Sequence, residues 1–464
     1  VPASHSQWLD WVPDLVGLNA ASPRSFPFLL DNAAGTGCSL LLFAGEEKLV
    51  QYGNGEITGP GHGNDFFTRL DHWFLDEKSS EGLASNQDKL QIPFSGGWFV
   101  YLGYEMAAAI EQKLQLPANP TGLPDALAWR CPGAVLVFHE HTDDANQSAF
   151  AAVAVAEDQT ILQEILALVE TGPVPAPGLI PQLLSLHEDE PARFEAGVTM
   201  VLDYLRAGDV FQVNISRPWH GEFSEAPDPA ALYRSLARRN PAPFAGMMRW
   251  GDVVLLSSSP ERLVEVRGDE VQTRPIAGTR PRGKSPDHDL QLSRELIDNP
   301  KEQAEHVMLI DLERNDLGRV CRSGSVEVNE FMVIESYAHV HHIVSNVRGR
   351  LRADAGPVQV IKAVFPGGTI TGCPKVRCME IIAEHEQQGR GFYTGSMGYL
   401  DRSGDMDLNI LIRSMLLQDK QIHFRTGAGI VADSIPAQEL QETKDKARGL
   451  LLALHTDPEE MLHA

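Results

Sequence analysis

A chain of 464 residues with 43% hydrophobic content is long enough to bury one large core or two medium ones. Its formal net charge of −24, with no Lys/Arg-rich run, argues against nucleic acid as a partner; an anionic substrate would need a local arginine, a helix terminus or a bound cation to hold it. Five cysteines (Cys38, Cys131, Cys321, Cys373, Cys378) form no CxxC pair, and no stretch is long and apolar enough to span a bilayer, so the expectation is a reduced, cytoplasmic protein with no membrane partner.

Residues 25 to 170 read as β-rich. Phe26 to Leu30, Ser39 to Phe43, Trp98 to Leu102, Ala134 to His139 and Ala149 to Val155 are apolar runs of strand length, while Ile161 to Val169 carries helical spacing. The run from Gly172 to Gly178, rich in proline, is the strongest linker signal. The expected division is a β-rich region over 1–171, a linker over 172–182 and a second domain over 183–464. Beyond the linker, Phe194, Val198, Val201, Leu202 and Leu205 share one helical face, and Gly208 closes that helix before a strand from Val210 to Ile215 that carries Gln212. Strands follow at Val253 to Ser257, Val264 to Val266 and Val271 to Arg274. Helices are expected over Ser285 to Asp298, Lys301 to Asp316, Val358 to Val364 and Val376 to Glu386. Short strands separated by turns favour a mixed α and β fold with a mostly antiparallel sheet.

Several clusters have the right chemistry to hold an anion or a cation that would bind one. Glu302 and Glu305 stand three apart on one helix, and Glu439 and Glu442 repeat the spacing on another. Four carboxylates from two helices suit a hard cation such as Mg²⁺; the alternative is two solvated helix faces. Arg413 ends the strand-like alternation from Asp407, and its guanidinium can fork onto a carboxylate unless Asp405 or Asp407 already pairs it. Tyr393 can add a phenolic donor. Thr426 to Ile430 offers glycine-lined backbone N–H groups, or a bulged strand. Ala363 to Arg377, with Gly367, Gly368 and Thr369, reads as a floor for an anion. His339 and His341 alternate onto one strand face and His342 onto the other, so spacing alone makes no metal site of them.

Taken together, SSSPER (257–262), TRPIAGTRPRG (273–283), AEHVMLIDLERNDLGRV (304–320), HVHHIVS (339–345), FPGGTITGCPKVR (365–377), YTGSMGY (393–399), ILIRS, TGAGIVADS and QETKDKA resemble the chorismate-utilising enzyme family, in family order and across nearly all of the chain after the linker. The resemblance implies an α/β (α+β) fold of two packed, largely antiparallel sheets flanked by helices, with residues 183–464 as the catalytic domain, acting on chorismate with Mg²⁺. By the same resemblance, Glu302, Glu305, Glu439 and Glu442 would hold the metal, which grips the ring carboxylate. Tyr393, Arg413 and the backbone of Gly427, Ala428 and Gly429 would hold the enolpyruvyl carboxylate. Glu261 would be the general acid, with His342 and Thr369 lining the ring and Thr279 at the reacting centre.

Gln212 stands where the members that activate water carry a lysine, so the resemblance implies ammonia as nucleophile, supplied by a separate glutamine amidotransferase subunit in a heterodimer. FPFLLDNA, GGWFVYLGYE, GGTITGCPK and DMDLNILIRS look like the aminodeoxychorismate synthase component I branch, which makes the precursor of 4-aminobenzoate and folate. Ala277 argues for the anthranilate branch, because the best-known para-aminating members have a lysine there. The N-terminal half of many relatives binds tryptophan; here Leu29 to Ala33 occupies the corresponding turn without the LLES form of the regulated members, so strong inhibition by tryptophan is not expected.

Overall fold

The computed structural model describes residues 5–34, 37–79, 91–141, 147–171, 178–283, 285–336 and 340–454. Two antiparallel sheets form its frame. The first has 12 strands; its main path runs His5–Leu9, Gln147–Ala156, Gly133–His141, Gly37–Phe43, Phe28–Asp31, Phe244–Trp250, Val253–Ser259, Ser414–Gln418, Gln421–Ile430, Gln212–Phe223 and Leu183–Glu188. The second has 11, among them Ile276–Pro281, Val340–Arg350, Arg262–Arg267, Met406–Asn409, Ser396–Asp401 and Gly97–Leu102.

Both sheets therefore take strands from either side of residues 172–182. Phe28–Asp31 pairs with Phe244–Trp250 in the first sheet, and Gly97–Leu102 pairs with Ser396–Asp401 in the second. Strand pairing in both sheets thus crosses the boundary expected at 172–182.

The strands facing each other are apolar on their inner sides. Phe28 of the first sheet stacks on Phe99 of the second at 3.9 Å between ring centroids, within a buried layer that includes Leu40, Leu42, Val50 and Leu127. Helices cover the outer faces. Gln159–Thr171, Pro229–Arg239 and Pro436–Ala453 pack on the first sheet, while Phe66–Glu77, Pro300–Gly318 and Pro357–Val364 pack on the second. Helix Pro191–Ala207 ends at Gly208, whose φ of 78° is the left-handed C-cap that its sequence position announced.

Strand Gln421–Ile430 pairs with Gln212–Phe223 without a register break, so Thr426 to Ile430 is a regular strand and the bulged alternative is excluded. The alternation expected from Asp407 to Arg413 is instead broken. The strand ends at Asn409, and Arg413 adopts φ 51° in the turn before Ser414–Gln418 begins. A non-glycine residue held there costs about 1–3 kcal/mol and is typical of functional sites.

Candidate active site

The cluster forms where strand Gln212–Phe223, strand Gln421–Ile430 and the turn from Pro366 to Cys373 meet. Gly372 and Cys373 add a short strand to Val213 and Gln212, which fixes the Thr369 turn beside the glycine-rich strand. Gly427 and Gly429 have the one property this place requires. A Cβ on Gly429 would lie 2.3 Å from Gln212 Nε2, and one on Gly427 would lie 2.8 Å from the Tyr393 hydroxyl and 3.1 Å from Asn214 Oδ1. These side chains rest directly on the bare backbone.

Two turns interlock behind them. Thr394 has φ 62°, its N–H donates to Leu411 O at 2.8 Å, and Leu411 N–H donates to Gly395 O at 2.8 Å. Tyr393 and Arg413 are thereby presented together. Among the described residues no carboxylate pairs with Arg413. Asp407 forks onto Arg262 at 2.9 Å through both oxygens, and Asp405 accepts from Gly268 N–H at 2.7 Å, so neither is available. Burial lowers the Arg413 pKa, opposed by Tyr393, Glu442 and Glu261 nearby. It is a desolvated cation awaiting an anion.

Glu261, 5% exposed, follows the strand Val253–Ser259. Burial raises its pKa to about 7. The Thr369 hydroxyl, Arg413 and Lys446 pull the other way, although Thr369 Oγ1 lies outside good hydrogen-bond geometry. A carboxyl in that state carries a proton near neutrality and can deliver it. His342 is buried opposite Thr279 in the strand register, with Nδ1 3.3 Å from Gly278 O. Burial lowers its pKa to about 4, so it is a neutral imidazole. Ala277 lies in the same strand, paired with Ile343, and contributes no amine. His341 turns elsewhere, with its Nε2 2.9 Å from Asp289 and its Nδ1 2.7 Å from Ser336 Oγ; His339 lies outside the described residues.

The four glutamates stand as two pairs on two helices, Glu302 and Glu305 on Pro300–Gly318, Glu439 and Glu442 on Pro436–Ala453. Their carboxylate oxygens are the donors a hard cation takes. Two already face cations: Glu302 meets Arg280 at 3.1 Å and Glu442 meets Lys446 at 2.6 Å. Among the described residues no three His, Cys, Asp or Glu side chains converge on a common metal position. The chemistry of the set fits Mg²⁺, while its convergence would require these pairs to open.

Three residues here were not singled out in the sequence. Lys446 donates to Gly427 O at 3.1 Å, and its i,i+4 relation to Glu442 in QETKDKA was the available signal. Glu313 is 6% exposed, with Oε1 3.4 Å from where a Cβ on Gly368 would be. Burial raises its pKa, with Asp316 and Glu261 adding to the shift and Lys375 opposing it. It lies eight residues beyond Glu305, on the same helical stripe. Asn214 is the third, two residues after Gln212 on one strand face.

A second cavity, of about 540 Å³, opens between the sheets and is lined in part by Leu30, Asp31, Phe138, Phe244 and Tyr399. Asp31 on its wall is already engaged, accepting from Ser39 Oγ at 2.6 Å and Tyr233 hydroxyl at 2.8 Å. This is where the turn from Leu29 to Ala33 falls.

Residues 26–452 match the family model described as chorismate binding enzyme. The chain is 42% identical over 453 residues to the aminodeoxychorismate synthase component 1 of Bacillus subtilis, covering 95% of this chain and 94% of that one. It is 46% identical over 365 residues to an anthranilate synthase component I-like protein of Synechocystis sp., covering 78% and 73% respectively. Among solved structures, anthranilate synthase component I from Streptococcus pneumoniae matches with a TM-score of 0.74 at 31% identity, covering 89% of this chain and 91% of that one.

Proposed function

The chain belongs to the chorismate-binding enzyme family and is a chorismate-utilising enzyme; from that premise we propose that it aminates chorismate as component I of an aminodeoxychorismate synthase. The observation that carries amination is Gln212, an amide lying across Gly429, where a water-activating member would present a lysine. An amide cannot take a proton from water, whereas ammonia is a nucleophile without a base. The para branch rests on the match to the Bacillus subtilis relative, which runs nearly end to end in both chains. The second reading, an anthranilate synthase component I, rests on Ala277 and on the match to the Synechocystis protein. A third, a non-catalytic ligand-binding member, is disfavoured because Glu302, Glu305, Glu439 and Glu442 are all kept.

In the favoured reading Arg413, Tyr393 and the backbone of Gly427, Ala428 and Gly429 hold one substrate carboxylate. Glu302, Glu305, Glu439 and Glu442 would hold Mg²⁺, which supplies a Lewis-acid grip on the other. Glu261 donates the proton with which the ring hydroxyl leaves, neutral His342 and Thr369 line the ring, and Thr279 belongs to the reacting centre. Ammonia comes from a glutamine amidotransferase subunit.

Purified protein with chorismate, ammonium and Mg²⁺ separates the readings. A product that a lyase converts to 4-aminobenzoate supports the first, anthranilate fluorescence supports the second, and neither product supports the third. Glu442→Gln is expected to abolish turnover; full activity in that variant would remove the glutamates from the metal role. The engaged Asp31 and the missing LLES form support weak tryptophan regulation, so micromolar tryptophan is expected to leave activity above half. Half-maximal inhibition at that level would move the assignment to anthranilate synthase.

A further inference from the structure

Strand Gln212–Phe223 carries two side-chain oxygens that the protein leaves unsatisfied. Gln212 is 7% exposed, yet among the described residues its Oε1 has no hydrogen-bond partner, and neither has Asn214 Oδ1. The Asn214 amide is anchored from its other end, where Nδ2 donates to Thr369 O at 3.4 Å. Two residues apart on one strand, both amides lie on the same face, over Gly429 and Gly427 respectively. The strand cannot readily shift to relieve them, because Arg390 donates to Asn214 O at 2.8 Å and is itself fixed by Glu386 at 2.7 Å.

Buried acceptors left without a donor point to a ligand that brings one. The carboxylates of chorismate cannot, since they are acceptors too; in the reading above one has Arg413 and the Tyr393 hydroxyl, and the other the metal. What the pair lacks is a small group rich in N–H or O–H. We propose that Gln212 Oε1 and Asn214 Oδ1 form the receptor for incoming ammonia, with Asn214 fixing its orientation. Two N–H groups of ammonia then donate to the two amide oxygens, and its lone pair points away from both, the orientation a nucleophile needs. Water could fill the same place, but neither amide would take its proton. This inference rests on the amination reading and names a specificity-determining residue within it.

The test varies ammonium at saturating chorismate, then chorismate at saturating ammonium. Asn214→Leu keeps the size and removes the acceptor; the KM for ammonia is expected to rise roughly tenfold, the loss of about one hydrogen bond, with the KM for chorismate unchanged. Asn214→Ser restores a small acceptor and is expected to recover part of that loss, which also guards against a Leu variant that fails to fold. A rise in the chorismate KM with the ammonia KM unmoved, or equal losses in both variants for both substrates, would overturn the proposal. If wild-type protein uses ammonium and both variants match it, this inference falls and the amination reading stands. If wild-type protein shows no ammonium-dependent turnover of chorismate, both fall.

Discussion

One face of one strand holds two opposite solutions to burying polar groups. At Gln212 and Asn214 the side-chain oxygens have no partner among the described residues, whereas Ser216, two residues on, donates from its N–H and its hydroxyl to Glu386 Oε1 at 2.8 and 2.9 Å. Glu386 also takes Arg390 at 2.7 Å and Arg425 at 2.7 Å. The satisfied end is scaffold; the unsatisfied end lies beside Arg413, with which no carboxylate pairs among the described residues, and offers its oxygens for binding. The difference separates groups that stabilise the fold from groups that cost it stability and are kept for binding.

The sharpest way to break that contrast is at Glu386. Truncation to alanine leaves two buried guanidinium groups without their shared carboxylate and is expected to cost about 3–5 kcal/mol in denaturant unfolding. A loss below about 1 kcal/mol would mean the satisfied end is not structural. The same group gives an acid signature. Its folded pKa is lowered from 4.5 to about 2, because the two arginines outweigh the cost of burial, so its contribution is present above pH 4.5 and is lost as pH falls toward 2. Arg413→Ala should behave in the opposite way. Chorismate binding is expected to weaken roughly 30- to 1000-fold, while the unfolding midpoint holds or rises, since the free protein loses no ion pair. A lower midpoint with normal chorismate affinity would assign Arg413 to the scaffold. The smallest effect is the pH profile of turnover. Glu261 must carry its proton, so the rate is expected to fall about tenfold per pH unit above about 7, and Glu261→Gln should remove that limb along with most of the rate. A limb that survives in the variant would place the acid elsewhere.

Local patterns in the sequence located most elements because each had a local cause. The apolar run Trp98 to Leu102 is the strand Gly97–Leu102, the period-3.6 stretch Ile161 to Val169 lies within Gln159–Thr171, and Val358 to Val364 is the helix Pro357–Val364. The strand Glu327–Ser336 was missed although Phe331 to Ile334 is an apolar run of strand length, because its exposure alternates and polar residues flank that run on both sides. The same limit applies to the site. Glu261, Arg413 and the glycines are legible as motif residues, but the broken strand before Arg413 depends on the turn at Thr394, which only the folded chain brings near. The Glu386, Arg390 and Arg425 cluster was not legible either, because its members meet through tertiary contacts, and Asn214 reads as an ordinary polar strand residue until its oxygen is seen to lack a donor.

The weaving of both sheets from the two halves of the chain has a consequence for its synthesis. When residue 171 leaves the ribosome, Phe28–Asp31 and Gly97–Leu102 are already made but lack their neighbours Phe244–Trp250 and Ser396–Asp401. Gly97–Leu102 is buried along its whole length once folded, so until then it is an open apolar edge, the kind that pairs wrongly or recruits a second chain. Neither sheet can close until the later strands are translated. Cutting the gene at the proline-rich stretch should therefore yield two insoluble fragments that become soluble only when made together.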